Sequence, residues 1–546
     1  MNILSKISNI VNLYIRQNFF DENKESVILE SMDILLGERI DNYTFDICSI
    51  GNESVVDLVP ALAKINEKSN KRKCGGVYYT DSDVTDFIMA NAFLHFIKPT
   101  EKKVWDYETA LKKLKHISIR EKIKIIEASS FDPTCGTGEF LLSSFRIKSI
   151  INETIGMSFE KMLGSVYGND IDYVSVDISK LRLFFSAIQK NMPDEDIMKL
   201  ASIINKNFIG KDAVAYDGVS FGKKDIIVGN PPYVEYGKYE GQSLYCYGNV
   251  YADVLHNAVK MLGEDGVMSF VVPLSYVSTI RMGKIRKLIS SHANKQIVIN
   301  FADRPDSLFS AAHQKLTILL AQKGNINNIV LSSSYKYWYN SERERLFHAI
   351  PLENTLIDNE MYWPKIGNKI ESSIFKKFKN LEEPNWLTID ALKGDTDCIY
   401  INTRGCFWMK VFSKNPHSNS YIPFFLPLEK IPFIYCLINS SLFFLLWVII
   451  SDGWHVTSKE LSFIKIPSLI KNQNIWVDLK TKLETKLEET KKYVGTKQVE
   501  YEYKHKECKY IIDEIDDELA RVYNLSQCQL KYIKEYSLKY RMGDGI

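Results

Sequence analysis

Asn230-Pro231-Pro232-Tyr233 closes a short apolar run, Asp225-Ile226-Ile227-Val228-Gly229. The run is brief and β-branched, as buried strands are. Two prolines cannot extend it, because each lacks an amide donor and fixes φ. They force a rigid corner at the strand's C-terminal end, where open α/β sheets carry their ligands. The corner offers the amide oxygen of Asn230, the carbonyl of Pro231 and the aromatic face of Tyr233. The two oxygens can accept both hydrogens of an amino group on a planar ring, and the ring can stack on the tyrosine. The plain alternative is a proline turn with a surface tyrosine.

A second constellation lies upstream. Asp132-Pro133-Thr134-Cys135-Gly136-Thr137-Gly138-Glu139-Phe140 sits between a strand-like and a helix-like stretch. Gly136 and Gly138 permit a tight turn and close approach of a ligand. A pyrophosphate-binding G-x-G-x-x-G would need glycine where Leu141 stands, so a loop headed by an acid suits a zwitterionic ligand better. Val166-Tyr167-Gly168-Asn169-Asp170-Ile171-Asp172 reads as the next strand with an acid at its tip. A carboxylate there can accept both hydroxyls of a ribose. Asp170 and Asp172 are both eligible, because the sequence does not fix where the strand ends. Asp212 ends a further predicted strand and is otherwise a capping acid. Gly75-Gly76-Val77-Tyr78-Tyr79-Thr80 precedes a helix predicted at 83–96, with Thr80 or Ser82 eligible as its N-cap.

The elements that must position these residues follow from periodicity. Strands are predicted at 123–131, 165–168, 207–209, 225–228, 267–272, 296–301 and 316–321. Helical patterns fill most of the gaps, for example 140–151 and 174–190. That alternation implies a mainly parallel sheet covered on both faces. Ile7, Ile10, Val11 and Tyr14 have helical spacing, so 1–70 reads as a helical segment, too short for a nuclease. The α/β domain is expected over 71–335, a connecting region over 336–390 and a further region over 391–546. In the last, 477–518 is charged and helical with Leu479, Leu483 and Leu487 on one face, a solvated helix along a domain. The stretch 433–450 is uncharged and as long as a minimal membrane span, but Asn439-Ser440-Ser441 interrupts it. A buried helix and no membrane are expected.

At 546 residues the chain holds several domains, and 45% hydrophobic with 25% charged residues is a globular composition. Net charge is +2, so nucleic-acid affinity would have to come from local patches. Nine dispersed cysteines without C-x-x-C argue against structural zinc or another metal site and fit a reducing cytoplasm. The N-terminus lacks the order of a signal peptide.

The Tyr-Tyr-Thr segment, the glycine loop, the acid-tipped strands and Asn-Pro-Pro-Tyr occur in one order, followed by a large C-terminal region. This order resembles the gamma class of DNA adenine-N6 methyltransferases, the group of the TaqI and Eco57I methylases, over about residues 71–325 and more loosely over 430–546. The resemblance implies a Rossmann-like class I methyltransferase sheet, seven-stranded and mainly parallel with one antiparallel strand near its edge, plus a mixed, helical target-recognition region. It implies S-adenosylmethionine as cofactor, held by Tyr78, Thr80, Asp132, Thr134, Gly136, Gly138, Phe140, Asp170 and Asp212. Asn230, Pro231, Pro232 and Tyr233 would be catalytic, and Phe309 would cover the second face of an adenine flipped out of duplex DNA. Around Leu437-Ile438-Asn439-Ser440-Ser441 and Ser451-Asp452-Gly453-Trp454-His455 the chain resembles target-recognition regions and type I specificity subunits. Arg404, Lys410, Lys414, Trp454, His455 and Lys459 are the candidate DNA contacts there. A separate restriction nuclease or defence-system subunit would be a further partner. Competing readings are a methylase of protein glutamine, since release-factor methylases share Asn-Pro-Pro-Tyr, a methylase of RNA adenine, and a non-catalytic DNA-binding subunit.

Overall fold

The computed structural model describes residues 3–19, 22–45, 57–67, 80–215, 222–239, 241, 243, 245–309, 313–324, 329–355, 361–389, 392, 394, 397–495 and 500–543. Nine strands form one sheet: β1 Ser130–Asp132, β2 Val166–Asn169, β3 Phe208–Ile209, β4 Lys224–Gly229, β5 Leu262–Pro273, β6 Ala293–Phe301, β7 Leu316–Lys323, β8 Ile329–Lys336 and β9 Glu353–Asn354. Their order is β3-β2-β1-β4-β5-β7-β6-β8-β9. Strands β1 to β5 pair in parallel, β7 lies antiparallel between β5 and β6, β8 is parallel to β6, and β9 is antiparallel to β8. The sheet is mainly parallel, as expected, but it has nine strands among the described residues where seven were expected. Two strands run antiparallel to their neighbours where one was expected, β7 inside the sheet and β9 at its rim. The C-terminal ends of β1 to β4 share one edge, which brings Asp132, Asp170, Asp212 and Asn230 together.

The principal helices are α1 Ile3–Asn18, α2 Glu22–Leu36, α3 Leu58–Glu67, α4 Ser82–Ile97, α5 Ile119–Glu127, α6 Glu139–Asn152, α7 Tyr173–Ala187, α8 Asp194–Asn207, α9 Val250–Met261, α10 Ile431–Ile438, α11 Ser441–Ile450, α12 Gln473–Glu489 and α13 Lys509–Val522. One prediction fails at α5, where 123–131 was read as strand. Ser118 and Glu121 form a reciprocal capping box that starts a helix there, and only Ser130–Asp132 remains strand. Short apolar runs do not declare their period, and the cap decides it.

Two apolar cores flank the sheet. One contains α1 to α4 with α6 and α7, and the other contains α9 and the C-terminal region. The N-terminal helices are tied in by Asp177 of α7, which accepts from Arg39 and from the Tyr43 hydroxyl at 3.0 Å. The apolar stretch 433–450 divides into α10 and α11, bent by 72°. Asn439 sits at the bend and bonds to Val411 and Tyr435, and the apolar side chains of both helices are buried. Among the described residues no single helix is long and apolar enough to cross a membrane. In α12 the predicted leucine face is buried, with Trp476 added to Leu479, Leu483 and Leu487.

Candidate active site: an acidic cleft beside a proline corner

A cleft of about 510 Å³ opens at the C-terminal edge of β1, β2 and β4. Its floor is the loop between β1 and α6. Gly136 and Gly138 have φ of +54° and +88°, backbone that side chains resist. At Gly138 a Cβ would also stand 3.0 Å from Ser179 Oγ. Ser179 in turn donates to the Gly136 carbonyl at 2.7 Å, so α7 locks the loop from behind.

Asp170 follows β2 directly, and its carboxylate accepts Gly136 N at 2.8 Å and Asp172 N at 2.9 Å. Asp172 is the N-cap of α7, where Ser175 and Val174 N bond to it. The strand end that sequence left open is thus fixed, with Asp170 at its tip. Asp212 accepts Val214 N at 2.9 Å and the hydroxyl of Tyr239. Burial, then the bond to Asp212, pushes the Tyr239 phenol up from its ordinary value. Pro133, Thr134, Gly136 and Ser175 complete the polar wall, and Ile3, Ile171, Val174, Val250 and Val254 the apolar one. Among the described residues, three carboxylates and no lysine or arginine line this cleft. A pyrophosphate would be repelled, whereas a nucleoside that carries positive charge fits.

Asn230 and Pro232 form the opposite wall. Asn230 Nδ2 donates to Thr80 Oγ1 at 3.0 Å, and Asn230 Oδ1 accepts from the Tyr233 hydroxyl, which also lies 3.1 Å from the Val271 carbonyl. The amide is thereby held with its oxygen toward Tyr233. Pro231 is buried, while Asn230, Pro232 and Tyr233 are half-buried.

Other predicted residues fall elsewhere. Tyr78 lies outside the described residues. Thr80 is buried against Asn230, and the N-cap of α4 is Asp81 rather than Thr80 or Ser82. Asp132 is 1% exposed and braces the loop by accepting Thr134 N at 2.9 Å. Burial, and then the nearby Asp170, pushes its carboxyl well above the usual range. Phe140 packs into the core beneath the loop. Phe309, expected over the base, is 1% exposed in the same core, so no base can lie on its ring in this conformation.

Of the C-terminal candidates, three come together. Arg404 pairs with His455 in an antiparallel bridge, and Gly405 N donates to the Trp454 carbonyl at 2.7 Å. Asp452 holds the loop by accepting Trp454 N and His455 N at 2.8 Å each and bonding His455 Nδ1 at 2.6 Å. Burial alone would raise Asp452, but these bonds keep it below the usual carboxylate range. Lys410 lies apart, beside the buried His505, and Lys414 lines a separate surface hollow with Glu484 and Glu488. Lys459, expected to contact DNA, has internal partners: its ammonium donates to the Ser278 and Ile450 carbonyls at 2.8 and 3.0 Å and pairs with Glu460. It fastens the C-terminal region to the sheet domain.

Residues 164–309, from just ahead of β2 to beyond the end of β6, match one family model. It is the model of the Eco57I restriction-modification methylase. The type II restriction enzyme and methyltransferase RM.Eco57I of Escherichia coli is 20% identical over 315 residues, 48% of this chain and 31% of that protein. The modification methylase CviBIII of Paramecium bursaria Chlorella virus NC1A is 29% identical over 166 residues, 30% of this chain and 35% of its own length. The matches thus span about a third of these curated relatives. Among solved structures, the type IIL restriction-modification enzyme MmeI in complex with DNA aligns with 99% of this chain and 93% of its own, at a TM-score of 0.54 and 12% identity. That likeness is one of fold.

The structure adds to the cleft two residues that sequence reading missed, Tyr239 and Ile3. Tyr239 belongs to an aromatic-rich stretch after the proline corner, a signal that was legible but not read. Ile3 reaches the cleft from the N-terminal helix, and no local pattern announces it.

Proposed function

We propose that the chain transfers a methyl group from S-adenosylmethionine to the N6 amino group of an adenine extruded from duplex DNA. The observation that carries this reading is the placement of Asn230 on the wall of a cleft lined, among the described residues, by three carboxylates and no cation. The family match and the activities of the relatives, modification methylation among them, support it. The cofactor supplies a methyl group on a positively charged sulfur, which the acidic wall suits. Asp170 would accept the ribose hydroxyls, Asp212 the amino group of the cofactor's adenine, and the apolar wall its ring.

A base within a duplex cannot reach such a corner, so it is flipped out. Its amino nitrogen is a weak nucleophile because the lone pair delocalises into the ring. Asn230 Oδ1 and the Pro231 carbonyl accept the two amine hydrogens and draw the nitrogen toward tetrahedral geometry. The lone pair is then available for the new N–C bond, and the nitrogen afterwards releases one proton to water. Tyr233 would share the Asn230 oxygen with the incoming amine, as an oxygen with two lone pairs can, and offer its ring to the base. Catalysis on this account is positioning and preorganised electrostatics.

The test is to incubate the chain with labelled cofactor and duplex DNA from a methylation-free host, then hydrolyse the DNA to nucleosides. Label in N6-methyladenine is expected. Label in N4-methylcytosine would overturn the choice of base, and label confined to protein or RNA would overturn the choice of substrate.

A further inference from the structure

Arg304 and Lys315 belong to no motif in the sequence, yet both reach the same tryptophan. The Arg304 guanidinium lies 5.5 Å and the Lys315 ammonium 4.7 Å from the Trp454 ring centroid. Arg304 follows β6, and Lys315 precedes β7, so both stand at the edge of the sheet that carries Asn230. Trp454 arrives from the C-terminal region on the loop that Asp452 holds. Gly453 lets that loop close: its φ is +71°, and a Cβ would stand 2.8 Å from the Tyr335 hydroxyl and 3.1 Å from Lys315 Cδ. Asp303 offsets the two cations in part, at 3.2 Å from Lys315, and Arg304 itself is exposed.

The cluster encloses a niche of about 30 Å³, far too small for a nucleobase, so its ligand lies on the surface. Trp454 serves as a plate under two cations, exposed Arg304 and the half-buried Lys315 that Asp303 holds in place, rather than as a stacking partner for a base. Along the sheet edge, β4, β5, β7 and β6 are consecutive. With strands about 4.8 Å apart, Lys315 is displaced from the proline corner by roughly 10 Å. That is about the width of a major groove. The acidic cleft repels a polyanion, while this cluster, beside it, attracts one.

We propose that Arg304 and Lys315, braced by Trp454, grip a backbone phosphate of the duplex next to the extruded base. The contact couples the sheet domain and the C-terminal region to one strand and sets where the corner meets the DNA. It rests on the proposed DNA substrate. Neither residue touches the reacting atoms, so both are positioning residues.

The experiment measures affinity of the full chain for a duplex across a salt series, with Arg304→Gln, Arg304→Lys, Lys315→Met and Trp454→Ala beside the wild type. Each lost phosphate contact lowers the slope of log affinity against log salt by about 0.9. Arg304→Gln is expected to lose about that much slope and to raise KM for DNA, with cofactor affinity and melting temperature held. Arg304→Lys should restore the slope, because the charge remains. Trp454→Ala should weaken binding without removing a charge, through loss of the plate. A wild-type slope in both Arg304→Gln and Lys315→Met would overturn the contact while leaving the proposed function standing. A wild-type chain without affinity for duplex at low salt would overturn both.

Discussion

Replacement of Asn230 by alanine separates the corner from the cleft. The side chain makes two described bonds, to Thr80 and to Tyr233. It is half-buried, so water can replace part of what is lost, and a net cost of roughly 1–2 kcal/mol of stability is expected. The Tyr233 hydroxyl keeps the Val271 carbonyl at 3.1 Å, which limits collapse of the corner. The glycine loop, Asp170 and Asp212 do not depend on Asn230, so cofactor affinity should stay within about three-fold, less than a single neutral hydrogen bond is worth. Transfer should suffer far more. Loss of one preorganised electrostatic partner of a reacting group costs about 10²–10³ in kcat. Single-turnover transfer of label to duplex DNA, with calorimetry of cofactor binding and a denaturation curve, reads the three quantities separately. If transfer by Asn230→Ala stayed within about ten-fold of wild type, a loss of at most ~1.4 kcal/mol, the corner would not hold the reacting amine. If cofactor binding vanished from a folded variant, Asn230 would belong to the cofactor site.

Asp170→Asn should weaken cofactor binding by roughly ten-fold or more, since bonds to a charged acceptor contribute about 1.5–3 kcal/mol. Its amide must also turn an NH₂ toward Gly136 N or Asp172 N, both of which now donate to the carboxylate; calorimetry decides, and unaltered affinity would remove Asp170 from the site. Lys459→Met should destabilise the chain by about 2–3 kcal/mol, because it strips donors from two carbonyls and leaves buried Glu460 without its cation. Its salt slope for DNA should stay at the wild-type value, and a fall by one contact would restore Lys459 as a phosphate ligand. Buried Lys148, bonded to the Ala128 carbonyl and Ser165, has its ammonium lowered by burial from 10.5 to about 7. Between those values the unfolded chain binds more protons than the folded one, so stability rises with pH across the window. Lys148→Met should flatten that rise, read as melting temperature from pH 7 to 9, and an unchanged slope would show that the lysine stays charged.

Much of the sheet was legible because strands and helices are local. The predicted strand ahead of the proline corner is β4, and those at 296–301 and 316–321 lie within β6 and β7. The failure at α5 came from an apolar run whose cap sets its period. The short strand β9, two residues long, carries too little pattern to be read before its partner β8 is known.

The sequence alone determined the glycine loop and the proline corner, because positive φ and fixed φ are properties of single residues. It also determined their order along the chain, and with it the kinship. Tertiary structure decided which acid stands at the tip of β2, why Phe309 and Lys459 are committed to packing and fastening, and that Ile3 reaches the cleft. It also brought Arg304 and Lys315 to Trp454 across some 140 residues of chain. Such meetings depend on which strands become neighbours, and no spacing along the chain encodes a distance that only the closed sheet creates.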